Sequence, residues 1–232
     1  MTTTTEPSPH AGHLLGFNAG YVDTAGFLAL SGLFTAHVTG NFVTLGAALI
    51  QGGSGAWAKL SALPVFCVVV LLTRLLSQSI VARGLPVLGR LVVCKVVLLA
   101  AAGALMVVLG PFSNGDQAPA FLAGMLMVAA MAVQNAMQRM HMKSAPPSTL
   151  MTGNTTQVMI DLADLFKGVS GTARDEALAR LRRMVPAIAA FAVGCAVAAL
   201  AYVGLGMWCF ALPPVVGLLT LPWLRESAPQ RG

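Results

Sequence analysis

Five stretches of this chain, residues 60–82, 91–112, 118–138, 184–204 and 206–224, run long and almost without charge. A helix rises about 1.5 Å per residue, so each approaches the roughly 20 residues that cross the hydrocarbon of a bilayer. They read as membrane spans rather than as helices of a soluble core. Composition agrees: 56% of the residues are hydrophobic and 9% charged, with a mean hydropathy of +0.78, where an ordinary soluble domain carries roughly a quarter charged residues. The chain is therefore expected to be an all-α integral membrane protein whose main partner is the lipid bilayer. The net charge of +6 does not call for nucleic acid, because the basic residues sit between spans and not on one soluble face. Residues 1–13 are polar and lack the Lys or Arg of a signal-peptide n-region, so they are expected to form a short disordered tail. Cys67, Cys94, Cys195 and Cys209 all fall inside apolar stretches without C-x-x-C or His-paired spacing. Neither a disulfide nor a metal site is expected from them, and no cofactor is expected.

A sixth, more polar stretch, residues 14–33, is also long enough to cross and contains Asn18, Tyr21, Asp23 and Thr24. Two shorter segments, 34–51 and 148–166, are ambiguous, and the distribution of Lys and Arg in the loops decides between the alternatives. If both cross, Arg83, Arg90, Arg139 and Lys143 oppose eight other basic residues. If neither crosses, eleven basic residues share one side and only Lys59 lies on the other. Six spans with both termini cytoplasmic is the expected topology, with the two short segments entering and leaving on the same face. Arg74 and Lys95 are expected to snorkel from the cytoplasmic ends of their spans.

The two short segments share the tripeptide Thr-Gly-Asn, as Thr39-Gly40-Asn41 and Thr152-Gly153-Asn154, at an offset of 113. Each follows a span with a polar patch, Asp23 in one and Gln134, Asn135 and Gln138 in the other, and each precedes a span that starts near a proline, Pro64 or Pro186. The chain divides into residues 14–112 and 118–224, each ordered as span, Thr-Gly-Asn element, span, span, followed by a tail at 225–232. Three crossings per unit place the second upside down, an inverted-topology repeat of the kind found in transporters and channels. Gly tolerates irregular backbone and Thr or Asn can cap a helix start. Both half-helices are thus expected to meet N-terminus to N-terminus near the midplane, beside a polar cavity.

Asp23 is the one acidic residue deep in a span, and an ionisable group there costs about 2.5–3.5 kcal/mol on insertion scales, which makes it functional by default. Gly12, Gly16 and Gly20 lie on its face of the helix, where they permit close helix approach and suggest a route to a homo-oligomer. The candidate solute or ion site comprises Asp23, Asn18, Tyr21, Thr39, Gly40, Asn41, Gln134, Asn135, Gln138, Thr152, Gly153 and Asn154. His37 is read as an interfacial histidine with a local hydrogen bond, a pH-sensitive gate being the alternative. Asp161 and Asp164 are expected to face water or to pair with the cluster at Arg180–Arg183.

Gly20-Tyr21-Val22-Asp23 followed by His37-Val38-Thr39-Gly40-Asn41, and Gln134-Asn135-Ala136 followed by Met151-Thr152-Gly153-Asn154, resemble the YoaK-like family of bacterial membrane proteins, defined by a domain of unknown function. The resemblance implies a bacterial cytoplasmic membrane location and brings no activity or substrate. From the residues themselves, a small-solute transporter or channel is expected, proton-coupled through Asp23. A non-transporting scaffold or assembly factor stays open, for which a tightly packed interior without a cavity would speak. A lipid-directed enzyme is disfavoured, since there is no G-x-S-x-G, H-E-x-x-H or nucleophile–His pair.

Overall fold

The computed structural model describes residues 8–142, 145–149 and 151–224. Lys143, Arg225 and Arg231 of the topology count, most of the expected N-terminal tail and the whole 225–232 tail lie outside the described residues. Those described are helical throughout, with no strand among them: α1 Pro9–Ala29, α2 Gly40–Gln51, α3 Ala56–Ala82, α4 Val87–Leu109, α5 Ala118–His141, α6 Met151–Phe166, α7 Gly171–Leu205 and α8 Leu212–Leu219. Four helical segments are long and apolar enough to cross a membrane, beginning at Ala56, Val87, Ala118 and Gly171. Except in α5, whose apolar window is 78% buried, their apolar surfaces largely face outward. Only 17% of the apolar window of α3 is buried, and Leu71, Leu72, Leu75, Val97, Leu200 and Val203 point outward. Apolar surface on that scale is covered by lipid or protein, not by water.

Local sequence explains where the helices depart from expectation. The first begins at Pro9, inside the stretch read as a tail, because Ser8 caps it through the amide of His10 and proline suits a first turn. Pro64 and Pro186 lie inside α3 and α7, not at their starts. The latter helix is 35 residues long, with a polar foot from Gly171 to Arg183 below its apolar part. The last stretch, expected as one span, is broken into a 3₁₀ segment Gly206–Ala211, then α8, then a 3₁₀ segment Leu221–Trp223. Pro213, Pro214 and Pro222 lack the N–H that a continuous helix needs there.

Packing pairs the helices in a pattern that exchanges between the halves. The first helix lies on α7 as α5 lies on α3; α2 lies on α3 as α6 lies on α7; and α4 crosses both α5 and α8. Glycines set the closest crossings. A Cβ on Gly20 would strike the Phe191 carbonyl, and one on Gly194 the Phe17 carbonyl, so α1 and α7 touch backbone to backbone. The face of Gly16 and Gly20 is filled by α7 of the same chain. Where α4 meets the last segment, Gly103 abuts Phe210 and Gly217 abuts Val96. Each residue of the first half lies 114 before its counterpart in the other contact.

Candidate polar site within the bundle

Asp23 lies seven residues from the C-terminal Leu30 cap of α1 and is 4% exposed. The chain after Leu30 turns back along the helix, so that Asp23 Oδ1 accepts the backbone N–H groups of Thr35 and Ala36, both at 2.7 Å. Its Oδ2 lies 2.7 Å from His37 Nδ1, and the His37 ring stands edge-on to Phe191 of α7. One carboxylate thereby ties down the irregular backbone that leads into α2. Asn41 completes the turn: its amide donates to the Phe34 carbonyl and its carbonyl accepts the Phe34 N–H, both at 2.8 Å. This reverses the expected use of the Thr-Gly-Asn sequence, since Thr39 occupies the N-cap position without a side-chain cap bond. The asparagine clasps the loop seven residues back; it does not cap the helix.

The second element repeats the clasp at the same spacing. Asn154 Nδ2 donates to the Pro147 carbonyl at 3.1 Å, while proline has no N–H to return the bond. The work done by Asp23 is divided among amides: Gln138 Oε1 accepts the N–H of Ser148 at 3.2 Å and its hydroxyl at 2.7 Å, and Asn135 donates to the Thr149 hydroxyl. Gln134 Nε2 donates to Ser148 Oγ at 2.7 Å and to the Leu15 carbonyl at 2.9 Å.

Gln134 Oε1 accepts from Lys95 Nζ of α4. Lys95 is 0% exposed. It does not snorkel, contrary to expectation, because the helix starts at Val87 and places it two turns inside, on the stripe of Leu88, Leu91, Leu99, Ala102 and Met106 that faces the core. A uniformly apolar helix gives no amphipathic signal from which that orientation could be read. Arg74 does stay on the exposed surface, against Met140.

The other expected site residues lie elsewhere. Asn18 Nδ2 bonds the Pro213 carbonyl at 3.0 Å and the Tyr21 hydroxyl bonds the Cys209 carbonyl at 2.9 Å, so both anchor the last segment to α1. Thr39, Thr152 and Gly153 are exposed on the flank of the bundle. Thr152 lines an outward groove of about 680 Å³ with Thr155, Thr156, Met159 and Ile160. Instead of converging on one midplane cavity, the candidates form two buried nodes: Asp23 with the loop before α2, and Lys95, Gln134 and Gln138 with the loop before α6. Leu15 and Asp23 mark their levels on α1, eight residues or about 12 Å apart. Asp161 of α6, in accord with expectation, meets Arg180 on the foot of α7 through Nη2 at 2.9 Å and Nε at 3.1 Å.

All-helical, with apolar helices turned outward and polar groups gathered within, the chain is a membrane-type helical bundle. It belongs to the family described as protein of unknown function (DUF1275), whose pattern it matches over residues 11–222. It matches no curated protein and no solved structure.

Proposed function

We propose that this protein moves a small solute across the bacterial cytoplasmic membrane, as a transporter or channel of six crossings arranged in two inverted halves, with both termini cytoplasmic. It is read as a carrier or pore and not as an enzyme. The observation that carries this is the pair of ionisable residues inside apolar helices, Asp23 at 4% and Lys95 at 0% exposure, each joined to the loop before a short helix. Such groups are expensive in a membrane and are kept where they serve a solute path.

Four further contacts support the inverted halves. The Ser31 and Ser54 hydroxyls meet at 2.8 Å, so the segment containing α2 begins and ends at one level. The Ser8 amide meets the Trp223 carbonyl, bringing the start of α1 beside the end of the last segment. Tyr21 with Cys209, and Gln134 with Lys95, occupy corresponding positions at offsets of 113 and 114. On this basis α2 and α6 enter from opposite faces.

A scaffold role is the second reading, favoured by the full set of donors around Asp23, which suits a structural anchor. Flux into vesicles reconstituted with purified protein separates the two. Transport predicts solute-specific uptake that Asp23→Asn and Lys95→Gln reduce at least tenfold while both variants stay folded. Absence of flux across a solute panel favours the scaffold.

A further inference from the structure

The node around Lys95 leaves hydrogen-bond donors unused. Each of its side-chain acceptors already carries a donor: Gln134 Oε1 that of Lys95, Ser148 Oγ that of Gln134, and Gln138 Oε1 both groups of Ser148. Donors remain. Lys95 uses one of the three N–H groups of an ammonium, and Gln138 Nε2, in a residue 3% exposed, has no partner. The ion pairs among the described residues join Asp23 to His37, and Asp161 and Glu176 to Arg180; Lys95 takes part in none. Among the described residues, the other buried side-chain atom without a partner, Asn18 Oδ1, is a neutral oxygen and cannot balance a charge. The N-terminal end of α6, which follows this loop, adds positive potential of its own. A buried amino group with surplus donors and no counter-charge is held in its charged form by a group of opposite sign that only accepts hydrogen bonds.

We propose that Lys95 and Gln138 Nε2 form a binding site for a small monovalent anion, a carboxylate or halide, and that this is the class of solute moved. The second clause rests on the transport reading; the first does not. Gln134 and Ser148 hold Lys95 and Gln138 in one network and connect it to the loop before α6, so that an anion arriving at Lys95 competes with Gln134 for the ammonium and loosens the tie to that loop.

The test is thermal unfolding of the purified protein in detergent at fixed ionic strength, with sodium gluconate replaced stepwise by sodium formate, chloride or nitrate. Wild type should gain several degrees in a saturable manner with at least one of the three, because a ligand that binds only the folded state raises Tm. Lys95→Gln should lose that response. Should Lys95→Gln not fold, Gln134→Glu decides: a carboxylate beside the ammonium supplies the counter-charge internally and should abolish the response while retaining the lysine. An unchanged Tm in all three salts for wild type, or an undiminished response in either folded variant, overturns the proposal. Vesicle flux separates this from the transport reading: saturable stabilisation without flux leaves the site standing and removes transport, whereas flux of a neutral or cationic solute without stabilisation does the reverse.

Discussion

The loops before α2 and α6 perform the same task with different chemistry. Both are clasped by an asparagine reaching back seven residues, Asn41 to Phe34 and Asn154 to Pro147. Both are also tied to the preceding helix. In the first half a single carboxylate takes two backbone N–H groups and a histidine; in the second, three amides share the work and a lysine from another helix closes the chain. A charge concentrated on one residue makes the first loop depend on that residue. Distributed amide bonds make the second redundant.

That difference is broken most severely by Asp23→Leu. Two buried N–H groups lose their acceptor, at about 1–3 kcal/mol each, and we expect little folded protein by size-exclusion chromatography. Gln138→Leu strands one backbone N–H and should be recovered folded with a lowered Tm. Equal losses would mean the halves are not specialised. Asp23→Asn retains an acceptor for those amides and should fold.

Next in size is the contact of α1 with α7. Gly20→Ala places a methyl against the Phe191 carbonyl, and overpacking of this kind costs about 1–3 kcal/mol, so Tm should fall by several degrees. Gly46→Ala, with open space around it, should be neutral or slightly stabilising in the same measurement.

Smaller again is the comparison of the clasps. Asn41→Ala removes two bonds to Phe34 and Asn154→Ala removes one to the Pro147 carbonyl; at about 1 kcal/mol per bond, the first should lower denaturant resistance about twice as far as the second. The smallest effect separates the glycines of the shared tripeptide. A Cβ on Gly40 would press on the Phe34 ring, which can give way, while Gly153 has free space. Gly40→Ala should cost a few tenths of a kcal/mol and Gly153→Ala should gain about as much from helix propensity, read as a small difference in Tm.

The helical bundle was legible in the apolar runs, and the kinship of the two short elements in Thr-Gly-Asn. Asp23 announced itself as a carboxylate among glycines and aliphatic residues. The role of the tripeptide did not, because a bond from Asn41 back to Phe34 depends on how the loop folds and not on helix-capping chemistry. Lys95 was hidden for another reason. Its neighbours on every side of α4 are apolar, so sequence gives its depth only once the helix start is known, and gives its direction not at all. Asn18 and Tyr21 were expected at a solute site, but their partners are carbonyls of a proline-broken segment that sequence presented as a continuous span.

The central claim is that α2 and α6 each return to the face from which they came, on opposite sides of the membrane. Single cysteines at Gly53, Ser113, Gly84 and Gly168, in a background with the four native cysteines replaced, report it through labelling of intact cells by an impermeant thiol reagent. Gly53 and Ser113 should label, and Gly84 and Gly168 should label only after the membrane is permeabilised. Labelling of Gly168 in intact cells would mean that α6 crosses completely, and would contradict the inverted arrangement.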